Sequence, residues 1–308
     1  MEKNANKFAP ICVIIAGCCW GSGGVFIRVF VGLDYSPLTI VFTRTIIAFV
    51  IMLIFLLFYD KSLLKIKIKD LWAFVGIGVS GAIILNLFYN LSVMENSLSL
   101  AAILLATAPF FVLFLAAPIF KEKITAVKLQ ALAIAFIGCV LVSGLIGSAT
   151  IFSPFGIGVG LLSGVGSAMY GLFSRAVLNR GYHPLTANIY SMGIGALATL
   201  PFTQFDVVAE SIIKAPMYVG VMLFLHALFV CLLPYILFTT GMKYMDTGKA
   251  AIIVSVEPVA ATFFGIFLYK EIPDVFITIG IVLVLFALVL LNLPKGFRSI
   301  IPDRKKQP

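Results

Sequence analysis

Three ionisable residues stand inside long apolar stretches of this sequence, and the chemistry open to them is the natural starting point. They are Arg44, His226 and Glu257. An ionisable side chain in hydrocarbon costs about 2.5–3.5 kcal/mol on insertion scales, so it is usually kept for a function or is paired within the protein. Each of the three therefore has one functional and one structural interpretation.

Glu257 has the strongest functional interpretation because Pro258 follows it. Proline has no N–H, and its ring clashes with the preceding turn, so we expect a helix to loosen here and to free a carbonyl group. A carboxyl group beside opened backbone suits a protonatable site or a ligand for a substrate amine. The structural alternative is a carboxylate held by a backbone or hydroxyl donor.

Arg44 and His226 also have one functional and one structural interpretation each. The Arg44 guanidinium either holds the carboxylate of a substrate or neutralises a carboxylate within the protein. The His226 imidazole either relays protons or is a neutral group bonded across helices. We take Glu257 and His226 as the candidates for proton coupling.

Polar and aromatic side chains in the same stretches are the candidates for a substrate cavity. Asn86, Tyr89 and Asn90 have the i, i+3, i+4 spacing that places them on one helix face. Such a face is expected to point away from lipid, because an unpaired amide in hydrocarbon costs several kcal/mol. The face either lines a cavity or joins helices. The complete predicted cavity set is Trp20, Ser22, Arg44, Asn86, Tyr89, Asn90, Thr107, Tyr170, Tyr235 and Thr239.

The motifs of cofactor and metal chemistry are missing from the sequence. The five cysteines fall in apolar runs and lack the spacing of a metal site. No glycine-rich segment ends in the Gly-Lys-Ser/Thr of a phosphate loop, so no ATP drive is expected. We also find no His-Glu-x-x-His and no paired aspartates within the apolar stretches. The prediction is therefore no metal, no cofactor and no enzymatic activity.

Composition shows which elements must position these residues. The chain is 61% hydrophobic and only 11% charged, whereas soluble domains carry about 25% charged residues. A membrane-spanning helix needs about 20 apolar residues. Ten stretches meet this requirement: 10–30, 37–59, 71–92, 98–120, 126–146, 154–174, 184–204, 217–239, 249–269 and 273–293.

The basic residues predict the orientation. If the N-terminus is cytoplasmic, eighteen of the 22 Lys and Arg residues fall on the cytoplasmic side, three fall outside and Arg44 lies within a span. This asymmetry places both termini inside, including the basic tail 294–308. The net charge of +9 thus reflects membrane orientation, and no nucleic-acid partner is expected.

The two halves of the chain repeat each other. Tyr35-Ser36-Pro37-Leu38-Thr39 recurs 147 residues later as Tyr182-His183-Pro184-Leu185-Thr186, and Lys121-Glu122 recurs 149 residues later as Lys270-Glu271. We predict two five-helix repeats, 10–146 and 154–293. Because five is odd, the second repeat must be inverted, which is a common plan of secondary transporters. The predicted fold is an all-α integral membrane protein with ten transmembrane helices as two inverted five-helix repeats.

Short landmarks in this order resemble one known family. They are Trp20-Gly21-Ser22, Ser36-Pro37-Leu38-Thr39 with Arg44, Thr107-Ala108-Pro109 before Lys121-Glu122, and Glu257-Pro258 before Lys270-Glu271. Together they resemble the EamA type of the drug/metabolite transporter superfamily. The sequence departs from the family pattern where a Lys stands in place of the Gly that often precedes the Glu, and where Ser167 stands in place of Trp.

The resemblance implies a ten-helix carrier in the plasma membrane that exports amino acids or related metabolites. We expect alternating access, with proton coupling left open. The alternatives are a passive facilitator or channel and, less favoured, an integral membrane enzyme. The expected partners are a small-molecule substrate and membrane lipid. The oligomeric state is left open between a monomer and a homodimer.

Overall fold

The computed structural model describes residues 2–96, 98–143, 153–270 and 274–292, and every regular element in these ranges is a helix. Eleven helical segments matter for the site. In chain order they are α1 Phe8–Val31, α2 Pro37–Tyr59, α3 Ile68–Glu95, α4 Leu100–Phe120, α5 Ala126–Val142, α6 Pro154–Asn179, α7 Pro184–Phe202, α8 Phe205–Lys214, α9 Pro216–Lys243, α10 Thr247–Tyr269 and α11 Val275–Asn292.

Most of these helices are long and apolar enough to cross a membrane. Eight of them meet this test in the described part of the chain, and the exceptions are α5, α7 and α8. Helix α5 is apolar but short, and α7 meets α8 at a bend of 98°. Helices α5 and α7 coincide with the predicted stretches 126–146 and 184–204. The chain is a multi-pass membrane protein, and α8 is an element that the sequence analysis treated as a connection.

The repeated Ser/His-Pro-Leu-Thr motif is a helix start. Pro37 and Pro184 occupy the first turns of α2 and α7, where a missing N–H does no harm. The Ser36 hydroxyl accepts the Thr39 N–H at 3.3 Å, and His183 Nδ1 accepts the Leu185 N–H at 3.2 Å. Burial, aided by the Lys243 ammonium, lowers the pKa of His183, which favours the neutral ring that can accept this bond.

Two pairs of backbone irregularities recur between the halves. Helices α3 and α9 each contain a π-helical segment, Ser80–Leu85 and Ala227–Leu232, which are 147 residues apart. Helices α4 and α10 each break and resume, at Ala108 and at Glu257, 149 residues apart. Each of these two helices then ends on a left-handed lysine: φ is 57° at Lys121 and 58° at Lys270. The backbone thus repeats with the same offsets as the sequence.

Glycines let the two halves approach closely at these breaks. A Cβ atom on Gly21 of α1 would lie 2.7 Å from the Glu257 carbonyl oxygen of α10. A Cβ on Gly164 of α6 would lie 2.8 Å from the Thr107 hydroxyl of α4. Small residues permit this kind of backbone contact between membrane helices. Helix α1 of the first half therefore covers the break in α10, and α6 of the second half covers the break in α4.

The two sequence repeats are interleaved rather than separate units. Helix α1 packs against α9 and α10, α6 packs against α3 and α4, and α5 packs against α11. Every one of these pairs joins a helix of the first half to a helix of the second. The centre of the protein is consequently built from both halves.

The first prediction concerns the contact at Gly21. We expect Gly21→Ala to destabilise the protein by about 1–3 kcal/mol, because the new methyl group would overlap backbone atoms of α10 that cannot move independently. Gly24→Ala is the matched control, since nothing lies within 4 Å of a Cβ at that position. Thermal unfolding of the purified variants measures both. Equal melting temperatures for the two variants would contradict close packing at Gly21.

Candidate functional site

Glu257 lies at the point where α10 resumes after its break. The 3₁₀ turn Val254–Val256 precedes it, and Pro258 occupies the first turn of the segment Glu257–Tyr269. Helix α10 is therefore irregular where the sequence predicted loosening. Among the residues that the structure describes, none hydrogen-bonds or ion-pairs with the Glu257 side chain, which is partly exposed. Glu257 thus carries a carboxyl group that no described residue bonds.

Arg44 is the matching cation on α2. Its Nε atom is buried, and no described residue accepts a hydrogen bond from it. The residue lines a small pocket of about 20 Å³, room for about one water molecule, between α2, α3, α6, α7 and α9. The other lining residues are Val41, Thr45, Gly78, Gly81, Ala82, Tyr170, Ser191, Met192, Cys231 and Tyr235.

Arg44 and Glu257 lie close enough for their charges to interact, and both charges act on Tyr235. Glu257 does not line the Arg44 pocket. The Glu257 charge also acts on Tyr89 of α3. Even so, no ion pair within 4.0 Å joins Arg44 to Glu257. The centre of the described bundle therefore holds a guanidinium and a carboxyl group that are near each other but not bonded.

Aromatic side chains form one wall of this region. Trp20 of α1 meets Tyr235 of α9 edge-on, with ring centroids 5.3 Å apart. Tyr235 also meets Tyr170 of α6, with centroids 5.2 Å apart. These three predicted cavity residues come together although they lie on three helices. Their rings offer apolar surface and faces that attract cations.

His226 is placed differently from the other ionisable residues. Its ring is fully buried and packs against Phe26 and Phe30, with centroids 5.3 and 5.1 Å away. Neither ring nitrogen has a hydrogen-bond partner among the described residues. The cross-helix bond expected for a structural histidine is not formed with them, and its nearest packing partners offer no proton carrier.

Two predicted cavity residues use their polar groups to hold helices. The Asn86 amide donates to the Gly81 carbonyl at 2.7 Å, five residues back, within the irregular part of α3. The Thr239 hydroxyl accepts from Asn188 of α7 and donates to the Tyr235 carbonyl, each at 2.8 Å. The Asn86 amide therefore bonds a carbonyl group of its own helix, and Thr239 joins α7 to α9.

The other predicted polar residues lie away from the centre or bond locally. Ser22 donates to the Cys19 carbonyl, and Thr107 donates to the carbonyl of Leu104. Asn90 lines a separate, open pocket of about 370 Å³ where the start of α2, the end of α3 and the α7–α8 bend meet. The remaining lining residues of this pocket are Ser36, Pro37, Leu38, Leu87, Leu91, Met94, Phe202 and Gln204.

Sequence reasoning missed Ser191 and the structural use of Glu122. Ser191 lines the Arg44 pocket, and its position as a polar residue within an apolar stretch could have identified it. In the sequence, Glu122 indicates only the internal repeat. In the structure, its carboxylate accepts hydrogen bonds from two backbone N–H groups at the start of α10. Across the described residues, no group of three or more His, Cys, Asp or Glu residues is arranged to hold a metal ion.

Comparison with known proteins agrees with this architecture. The family model of the EamA-like transporter family matches twice, over residues 7–144 and 154–293. An uncharacterized transporter of Archaeoglobus fulgidus is 32% identical over 138 residues, which cover 45% of this chain and 48% of that protein. The uncharacterized transporter YxxF of Bacillus subtilis is 27% identical over 64% of this chain and 62% of its own length.

These two alignments span only about half to two thirds of the relatives' lengths. A second Archaeoglobus fulgidus transporter aligns over 86% of this chain and 89% of its own length, at 25% identity. A solved crystal structure at 14% identity shares the fold, with a TM-score of 0.75 and coverage of 96% of this chain and 99% of the other. The names of the relatives indicate a transporter rather than an enzyme. With the family model matching nearly the whole of both halves, the chain belongs to the EamA-like transporter family.

Proposed function

We propose that this protein is a secondary carrier that exports a small zwitterionic metabolite, an amino acid or a close relative, across the plasma membrane. The observation that carries the proposal is that the opposite charges of Arg44 and Glu257 interact, while no described residue hydrogen-bonds or ion-pairs with either side chain. Leaving a charge unpaired in a protein interior costs several kcal/mol. A ligand that supplies both missing partners would recover that cost.

A zwitterion fits the two charges better than a ligand with one charge. The planar guanidinium of Arg44 suits a carboxylate, to which it can donate two parallel hydrogen bonds. The Glu257 carboxylate suits an ammonium group, which the neighbouring rings of Trp20 and Tyr235 would also attract. A simple amine or a simple acid would leave one of the two protein charges without a partner.

Ten membrane spans in two inverted repeats are part of the proposal. The paired irregularities of α3 with α9 and of α4 with α10 support a structural repeat. If α5 and α7 also cross the membrane, each half has five spans and the halves are inverted. Broken helices that meet at the centre of such a pair are a recurring site of substrate binding and of alternating access. This arrangement favours a carrier over a passive facilitator or channel.

Proton coupling follows from a shared use of Glu257. The carboxyl group can hold either a proton or the substrate amine, but it cannot pair fully with both at once. Exchange of one for the other would drive substrate out as protons enter. The buried ring of His226 contacts Phe26 and Phe30, so we assign the coupling role to Glu257 alone.

The second prediction separates the two ends of the ligand. We expect Arg44→Gln and Glu257→Gln each to weaken amino-acid binding about 10–100-fold, because each variant removes a charged hydrogen-bond partner. A decarboxylated amine should be affected by Glu257→Gln only, and a deaminated acid by Arg44→Gln only. Ligand-dependent thermal stabilisation of the purified variants measures these differences. Glu210→Gln, which alters an exposed charge on α8, is the control. Unchanged binding in both central variants would exclude this site.

The third prediction tests coupling in liposomes. In Glu257→Gln protein, net flux driven by a pH gradient should be lost because no proton can be exchanged at this position. If Glu257 carries only the proton, substrate exchange without a gradient should survive. If it also binds the amine, exchange should fall together with net flux. Normal gradient-driven flux in well-folded Glu257→Gln protein contradicts both roles.

The fourth prediction tests the inverted topology. Lys121 and Lys270 are exposed and occupy equivalent positions after α4 and α10. Single cysteines at these two positions, in a background without the five native cysteines, should react with an impermeant thiol reagent from opposite sides of the membrane. Position 121 should react from the cytoplasm, where the positive charge is concentrated. Reaction of both cysteines from one side would rule out inversion. Glu271, the partner landmark of Glu122, lies outside the described residues.

A further inference from the structure

A buried charge cluster fastens the two halves together at the N-terminal end of α10. Glu122, in the connection after α4, accepts the Thr247 N–H at 2.7 Å and the Gly248 N–H at 3.1 Å. The Arg175 guanidinium of α6 lies 4.0 Å from the same carboxylate. We call Glu122, Arg175, Thr247 and Gly248 the Glu122 latch.

The Glu122 latch is buried although two of its side chains, Glu122 and Arg175, are charged. The Glu122 and Arg175 side chains are only 6% and 16% exposed. Arg175 also donates to the Met242 carbonyl at the end of α9. A carboxylate that accepts hydrogen bonds from backbone N–H groups and lies near a guanidinium forms strong, charge-assisted contacts. Burial of such a cluster costs desolvation free energy, which the contacts within the cluster must offset.

The latch joins parts of the chain that belong to different halves. Glu122 lies in the first half, whereas Thr247 and Gly248 start α10 in the second half. At the same end, Lys128 of α5 pairs with Asp246 at 2.7 Å, which is a second link between the halves. Separation of α10 from the α4–α5 connection would break both links.

The latch lies on the path between the central charges and one membrane surface. Glu257 follows Gly248 by nine positions in α10, which corresponds to about 14 Å along a helix. The distribution of basic residues assigns this end to the cytoplasm. The open pocket lined by Asn90 and Met94 lies at the other end of α3. Among the described residues, the charged links therefore lie at the end assigned to the cytoplasm, and an open pocket lies at the opposite end of α3.

We propose that the Glu122 latch is the cytoplasmic gate of the carrier, and that it must release before substrate can enter the central site from the cell interior. This inference rests on the proposed carrier function, which supplies the need for a gate. The two backbone amides of α10 exchange the Glu122 carboxylate for water when the gate opens. Arg175 holds the carboxylate in place while the gate is closed.

Accessibility of a cysteine at position 191 tests the gate without any substrate. Ser191 lines the Arg44 pocket, and the reporter Ser191→Cys is placed in a background without the native cysteines. An impermeant thiol reagent is applied to inside-out and to right-side-out vesicles. We expect Glu122→Ala to speed labelling from the cytoplasmic side about tenfold, the scale of one charged hydrogen bond, and to slow labelling from outside.

Two further variants control for misfolding and for the loss of an unrelated charge. Glu122→Gln retains one acceptor oxygen and should give a smaller shift in the same direction, and it carries the test if Glu122→Ala does not fold. Glu210→Gln, on the exposed face of α8, should leave both rates unchanged. Unaltered rates in the folded Glu122 variants would overturn the gate, and so would an equal increase from both sides, which would indicate general loosening. Failure of the gate with intact ligand binding at Arg44 and Glu257 would leave the carrier proposal standing.

Discussion

A helix can be interrupted inside a membrane only where other protein covers the opened backbone, because hydrocarbon offers no hydrogen-bond partners. Helix α10 is interrupted at Glu257, and the rest of the site depends on how that break is covered. Gly17 and Gly21 let α1 lie directly on it, so close that a Cβ at Gly21 would meet the Glu257 carbonyl oxygen at 2.7 Å. The backbone at Glu257 is thereby held against α1, while no described residue bonds the carboxyl group.

The same constraint acts on the other half of the chain. Gly164 of α6 lies on the break in α4, 147 residues after Gly17 in the sequence. Each half therefore supplies a broken helix and a glycine-bearing helix that covers the break of the other half. Movement of one half relative to the other would change these two contacts, together with the packing of α5 against α11. The Glu122 latch and the Lys128–Asp246 pair add charged links at one end, so the closed position there rests on a few identifiable bonds.

Eight membrane-length helices could be predicted from the sequence because hydrocarbon thickness demands about 20 apolar residues, whereas the shorter α5 and the bend between α7 and α8 could not. The starts of α2 and α7 could also be predicted. Pro37 and Pro184 are tolerated in the first turn of a helix but would disrupt a later turn. The break at Glu257 followed from Pro258. The π-helical segments in α3 and α9 were not predicted. In α9, Pro234 stands two residues after Ala227–Leu232 and disturbs the preceding turn, whereas α3 contains no proline that would mark Ser80–Leu85.

The contacts that side chains make were harder to predict than the positions of the helices. Tyr235 contacts Trp20 and Tyr170, so three members of the predicted cavity set meet, while their role in a cavity stays a prediction. Helical spacing cannot show that the Asn86 amide donates to the Gly81 carbonyl. Thr239 looks from sequence like a cavity residue, and only the position of Asn188 on α7 shows that it joins two helices. Glu122 finds its partners 125 and 126 residues further along the chain, a distance over which no local pattern carries information.

The central claim is that Arg44 and Glu257 hold opposite ends of one ligand. The most direct measurement is an experimental structure of the protein with a bound amino acid, at a resolution that orients the ligand. We predict that the ligand carboxylate lies within about 3 Å of the Arg44 guanidinium and the ligand amine within about 3 Å of the Glu257 carboxylate. A ligand bound elsewhere, or a direct Arg44–Glu257 ion pair in the liganded protein, would contradict the account.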